Sequence, residues 1–291
     1  MKQRNGAASL FGVIVAVIWG MTFLSIKVAL REFGPMSLSL YRFTLASALL
    51  ALVMAGTKTS FRLAPRDILP MTMSALIGVT LYFYFENNGV LRLTASESSL
   101  IVGTIPVVTI LAEMLLFRAR PGKLVIVGIG LSFVGVALIV LRSESVSSSP
   151  LGYLFMGGAA LSWAAYGFIT APLSERYPML AITFWQMVIG TIGCVPFALV
   201  ERQAWGALSA AALLNASFLG VFGSAIGYWL YVIALECLGP GKSSVFINLI
   251  PVVSVAASFV ILGERLSALQ ILGGAIAIGG VYLAGRPARQ Q

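Results

Sequence analysis

Apolar residues in this chain run in blocks of about twenty, separated by short clusters of turn-forming and basic residues. A helix of that length crosses a hydrocarbon core of about 30 Å at about 1.5 Å per residue. The blocks do not alternate over about ten residues, as the strands of a membrane barrel do. The pattern predicts ten helices, at 9–30, 36–55, 68–90, 95–117, 122–141, 151–170, 179–200, 209–236, 241–262 and 267–285. Breaks fall at Gly34-Pro35, Gly56-Thr57-Lys58, Arg120-Pro121-Gly122, Ser147-Ser148-Ser149-Pro150, Gly239-Pro240-Gly241 and Gly263-Glu264-Arg265.

Composition makes lipid the solvent. Hydrophobic residues form 59% of the chain, charged residues 10%, and mean hydropathy is +0.96. A soluble domain carries about a quarter charged residues. The first block follows Lys2 and Arg4 like a signal peptide, but Ser9 to Leu30 is too long for an h-region. It is read as the first helix, retained.

The net charge of +9 is a topology signal rather than a sign of nucleic-acid binding. With the N-terminus in the cytoplasm, that side receives Lys2, Arg4, Lys58, Arg62, Arg66, Arg118, Arg120, Lys123, Arg176, Lys242, Arg286 and Arg289. The other side receives Arg31, Arg92, Arg142, Arg202 and Arg265. This bias predicts that both termini are cytoplasmic.

A duplication lies beneath the pattern. Ser98-Ser99 followed by Ile105-Pro106-Val107-Val108 returns as Ser243-Ser244 followed by Ile250-Pro251-Val252-Val253, 145 residues on. Trp19 corresponds to Trp163, Tyr41-Arg42 to Trp185-Gln186, and Gly128 and Gly135 to Gly273 and Gly280. Five helices per copy is odd, so the second copy enters the membrane from the opposite side. The chain is therefore expected to be two inverted five-helix repeats, 1–145 and 146–291, forming one transport unit.

At these residues the chain resembles the drug/metabolite transporter superfamily, in its EamA family of ten-helix exporters. The resemblance rests on Trp19-Gly20-Met21-Thr22-Phe23 with Lys27, on Arg42, Pro106 and Trp163, and on Ser243-Ser244 through Pro251-Val252-Val253 to Leu262-Gly263-Glu264-Arg265. It covers essentially the whole chain. The turn after the fourth helix departs from the usual Gly-Glu-Arg type, reading Phe117-Arg118-Ala119-Arg120 without the acidic residue. Aromatic richness in helices 3, 6 and 8 makes the chain similar to bacterial exporters of aromatic and other neutral amino acids. The resemblance implies alternating access in a bacterial inner membrane.

An inverted-repeat transporter holds its substrate near the midplane, between the halves. The substrate-binding candidates are Trp19, Tyr82, Trp163, Tyr166, Trp185 and Tyr228, whose rings offer apolar area with a polar edge. Packing or facing lipid is the competing role for each. Arg42, Glu86 and Lys27 are candidates for a gate or charge pair, since ionisable residues in membrane helices face a cavity or a partner. Pro106 and Pro251 are the hinge candidates. The glycines of helices 5 and 10 suit a packing seam within the monomer or a dimer face.

Histidine is absent, so no histidine relay or His-ligated metal is available. Cys194 and Cys237 lie in separate apolar blocks and read as buried thiols. There is no phosphate-binding glycine loop and no catalytic triad, so no cofactor, metal or enzyme activity is expected. The leading function is a secondary transporter exporting amino acids by alternating access. A multidrug or organic-cation exporter is the alternative within transport, and an integral-membrane enzyme or scaffold the alternative outside it. Proton coupling and facilitated diffusion both stay open, as do monomer and homodimer.

Overall fold

The computed structural model describes residues 2–117, 122–141, 149–238 and 249–284. No strand occurs among them. Apolar helical segments follow in chain order: α1 (Leu10–Ala29), α2 (Pro35–Gly56), α3 (Pro65–Arg92), α4 (Ala95–Leu115), α5 (Lys123–Ile139), α6 (Pro150–Ser174), α7 (Met179–Glu201), α8 (Ala210–Tyr231), α9 (Ile250–Leu262) and α10 (Ala268–Ala284). Helical backbone precedes α1 from Lys2 and continues past α5 to Leu141 and past α8 to Leu238. Seven segments, α1 to α4 and α6 to α8, are long and apolar enough to cross a membrane, whereas α5, α9 and α10 are shorter apolar helices. Ser243-Ser244, Asn248, Gly239-Pro240-Gly241, residues 142–148 and the chain ends lie outside the described residues.

Local chemistry sets the helix starts. Pro35 and Pro150 occupy first-turn positions, where the missing N–H costs nothing. Ser149 and Ser209 cap α6 and α8, accepting from Gly152 N and Ala212 N. Thr94 and Glu97 form a reciprocal capping box at α4. Gly263, at φ +67°, ends α9 in the left-handed region that glycine enters without strain.

Two carboxylates from distant turns cap helix starts as well. Glu201, closing α7, accepts from Met36 N at 2.8 Å, Ser37 N at 2.7 Å and Ser37 Oγ at 2.7 Å. Glu264, just after α9, accepts from Ala95 N at 3.0 Å, Ser96 N at 3.1 Å and Ser96 Oγ at 2.8 Å. Each places negative charge on the positive end of a helix dipole. The Gly263-Glu264 turn thus ties α9 to α4.

The principal contacts pair elements from opposite parts of the chain. α5 packs on α10 and α2 on α7; α1 meets α8 and α9, while α6 meets α3 and α4. The α5–α10 contact is antiparallel and built on glycine. A Cβ on Gly128 would lie 2.6 Å from Gly280 O, and one on Gly135 would lie 2.5 Å from Gly273 O. Ser132 Oγ donates to Ala277 O at 2.9 Å in the same seam. The predicted seam is therefore inside the monomer. Gly130 and Gly279 face open space and take no part in it.

Among the described residues three stretches are π-helical: Leu76–Leu81 in α3, Leu219–Ile226 in α8 and Ser258–Leu262 in α9. Hydropathy does not reveal them. The first two begin at Leu76 and Leu219, close to the repeat spacing. Their glycines admit a neighbour: a Cβ on Gly78 would lie 2.1 Å from the Tyr166 ring, and one on Gly223 would lie 2.9 Å from Thr22. A π-turn also frees carbonyls from the regular ladder, which is why such turns gather at functional sites.

Candidate functional site

The α8 π-turn builds one wall of the site. Gly227 N–H donates to Phe222 O five residues back, and the Gly223 carbonyl receives the Trp19 indole N–H at 3.0 Å. Gly227 carries no side chain where a Cβ would lie 2.7 Å from Trp19 Nε1. The Trp19 ring packs on Tyr228 at 5.4 Å and Tyr231 at 5.3 Å. On the opposite wall, Trp163 of α6 packs on Tyr82 of α3 at 5.0 Å and on Tyr166 at 5.2 Å.

Between these walls lies a cavity of about 150 Å³. Its lining brings together Trp19, Tyr82, Trp163 and Tyr228 of the predicted substrate group, and Arg42 and Glu86 of the predicted charge group. Pro106 also lines it. Thr22, Phe23, Phe83, Val102, Ile105 and Ile250 complete the wall.

Arg42 and Glu86 are 4% and 5% exposed, so protein rather than water surrounds both charges. Arg42 Nε donates to Ser224 Oγ at 2.7 Å, and its guanidinium lies over the Phe83 and Phe43 rings at 4.6 and 5.3 Å. Such cation–π contacts stabilise a desolvated cation. The guanidinium lies close to the α8 backbone: a Cβ on Gly223 would stand in ordinary contact with Arg42 Nη2, at 3.5 Å. Glu86 Oε1 accepts from Tyr82 Oη at 2.8 Å, one helical turn earlier. Within 4 Å, no ion pair joins Arg42 to Glu86 among the described residues.

The other expected site residues lie elsewhere. Lys27 does not join that charge pair. Its Nζ donates to Val90 O at 2.9 Å and Leu93 O at 2.5 Å, capping the C-terminus of α3, where a cation meets the negative dipole end. Trp185 is outside the cavity: its Nε1 donates to Phe61 O at 3.2 Å, in the α2–α3 connection. Tyr166 stands behind Trp163, donating to Gln186 Oε1 at 3.0 Å, while Gln186 Nε2 donates to Ser74 and Thr170. The α4 helix breaks at Gly103-Thr104, immediately before Pro106. A Cβ on Gly103 would lie 2.9 Å from the Pro251 ring, so one hinge candidate packs against the break that precedes the other.

Ser224 is not singled out by the sequence, and Ile105 and Ile250 appear there only as members of the repeated motif, not as site residues. Their types carry no chemical signal, and only the fold turns them inward. Gly223 and Gly227 had a signal in principle, as glycines within an apolar helix, where glycine marks close approach.

Among the described residues no group of three or more Cys, Asp or Glu could hold a metal. The arrangement can bind: two aromatic walls and two separated opposite charges enclose a small volume.

Comparison with known proteins places the chain. The model of the EamA-like transporter family matches residues 6–141 and again residues 150–286. An uncharacterized transporter of Archaeoglobus fulgidus is 30% identical over 96% of this chain and 97% of its own length. A probable terminal-alkyne amino-acid exporter of Streptantibioticus cattleyicolor is 29% identical over 94% and 92%. A probable amino-acid metabolite efflux pump of Salmonella typhimurium is 23% identical over 97% and 95%. One solved crystal structure superposes with a TM-score of 0.68 over 96% of this chain and 95% of the other, at 18% identity, a likeness of fold alone. With one family model matching both parts of its length and relatives aligned nearly end to end, this protein belongs to the EamA-like transporter family and is a multi-pass membrane transporter rather than an enzyme.

Proposed function

We propose that this protein exports small metabolites, namely aromatic and other neutral amino acids, across the bacterial cytoplasmic membrane by alternating access. The observation that carries the reading is the cavity itself, enclosed between Trp19 with Tyr228 on one side and Trp163 with Tyr82 on the other. One relative is named a probable terminal-alkyne amino-acid exporter and another a probable amino-acid metabolite efflux pump, which supports a substrate of this class.

A volume of about 150 Å³ takes up a benzene-sized ring, such as that of an aromatic side chain.

The transport unit is read as ten spans in two inverted repeats, 1–145 and 146–291, with both termini in the cytoplasm. The reciprocal pairing of α1 with α8 and of α6 with α3 supports this reading, as does the double match of the family model. Pro106, and Pro251 packed against Gly103, supply the points about which the halves rock. Proton coupling is part of the proposal to be tested rather than assumed.

The test is efflux from proteoliposomes loaded with leucine, methionine, phenylalanine or tryptophan, with and without a pH gradient. Flux above empty liposomes for neutral amino acids is expected. Flux of organic cations with none of amino acids would overturn the assignment.

A further inference from the structure

We infer that this cavity selects its substrate by charge, as a zwitterion, with Arg42 taking the carboxylate and Glu86 the ammonium group. The inference rests on the amino-acid reading above and says which atoms of the substrate are recognised.

Two opposite charges are buried in one small cavity, yet no ion pair joins them among the described residues. Burying such charges is costly, and holding them short of contact, though each still feels the other's charge, forgoes part of the attraction that would offset the cost. A structural pair would close to contact. These two are held apart by their own partners: Ser224 and the Phe83 ring hold the guanidinium, and Tyr82 holds Glu86 Oε1. Arg42 has five N–H donors, and its one hydrogen bond among the described residues uses Nε. Its terminal nitrogens remain for a planar carboxylate, the acceptor that a guanidinium fork matches best. Glu86 likewise keeps its second oxygen for a donor.

The site's net charge is zero while its charges are separated. A neutral ligand with no charges leaves both unsatisfied. A simple amine leaves Arg42 without an anion, and a simple carboxylate leaves Glu86 without a cation. A ligand carrying both groups, as an amino acid does on its Cα, satisfies the two at once, and its side chain then lies against the aromatic walls. Leaving one buried charged group without its partner is heavily penalised, which makes the discrimination steep.

Isothermal titration of the purified full-length protein with three compounds that share one 3-methylbutyl unit tests this: L-leucine, 3-methylbutylamine and 4-methylpentanoate. Leucine should bind at least about tenfold more tightly than either analogue, a gap of about 1.4 kcal/mol or more. Glu86→Gln should collapse the gap between leucine and 4-methylpentanoate to about threefold or less, while the gap to the amine stays. Arg42→Gln should do the reverse. Analogues that bind the unaltered protein as well as leucine overturn the inference without any variant, and so does a Glu86→Gln protein whose preferences are unchanged. If leucine, methionine and phenylalanine all fail to bind, the amino-acid reading itself falls and this inference with it.

Discussion

The Trp19 indole N–H is hydrogen-bonded to the Gly223 carbonyl at 3.0 Å, so this ring is fixed to α8 by the edge that would otherwise be its polar contact for a substrate. Trp163, its counterpart 144 residues on, makes no such bond among the described residues; its contacts are with the Tyr82 and Tyr166 rings. The two tryptophans should therefore answer differently to the same substitution. Trp163→Phe and Trp19→Phe both keep a ring, but only the second frees a backbone carbonyl. Truncation of either to Ala should weaken apparent affinity by about tenfold or more, from lost contact worth on the order of 1–3 kcal/mol. Trp19→Phe should in addition lower the melting temperature, whereas Trp163→Phe should leave it near that of the unaltered protein. Melting curves beside flux titrations separate the two effects.

The glycine seam predicts a purely structural failure. Gly128→Val or Gly280→Val puts side-chain atoms where the other helix's backbone already lies, a clash that no rotamer relieves. Overpacking of this kind costs about 1–3 kcal/mol, and more when backbones must separate. The same change at Gly130 or Gly279, which face open space, should be tolerated. Thermal stability in detergent and yield of the folded monomer report the difference.

The carboxylate caps predict a graded loss. Removing Glu264 leaves Ala95 N, Ser96 N and Ser96 Oγ without their acceptor and the α4 dipole uncompensated. Glu264→Ala should cost about 1–2 kcal/mol of stability, and Glu264→Gln, which keeps an acceptor oxygen, roughly half as much. Equal stability of all three proteins, measured by thermal unfolding, would remove the cap from the account of this motif.

Glu32 lies between α1 and α2 and accepts from Ser209 Oγ and Ser209 N, both at 2.6 Å. The side-chain bond first, and the backbone bond second, hold its carboxyl below the ordinary carboxylate value. A lowered native value means that the unfolded chain binds the proton more tightly. The contact's contribution is therefore complete above about pH 5 and fades as pH falls through the native value. Hydrogen exchange at the Ser209 amide should quicken in that acid range relative to neighbouring loops, once the intrinsic pH dependence is divided out. Glu32→Gln should abolish the pH-dependent component.

Topology has a direct test. A reporter active only outside the cytoplasm should be silent at the C-terminus and active within the 142–150 connection. The opposite result would overturn both the orientation and the inverted repeat.

Reading the chain alone settled a good deal, because burial in lipid leaves backbone few options. Blocks of apolar residues must be helices, and their edges at Gly34-Pro35, Ser149-Pro150 and Gly263 follow from residues that end or start helices whatever surrounds them. Trp19, Tyr82, Trp163, Tyr228, Arg42 and Glu86 were legible as candidates, since large rings and charges deep in such blocks need a reason to be there, and the fold brings all six to one cavity. Lys27 and Trp185 carried the same signal and yet serve as a helix cap and a loop tether. Their depth was visible, but the direction of each side chain depends on how helices pack. The π-turns of α3 and α8, the opening of Gly223 O to Trp19, and the separation of Arg42 from Glu86 were decided only by tertiary structure. Hydropathy depends on composition along a helix, whereas these features arise where one helix presses on another and shifts its hydrogen bonds by one residue.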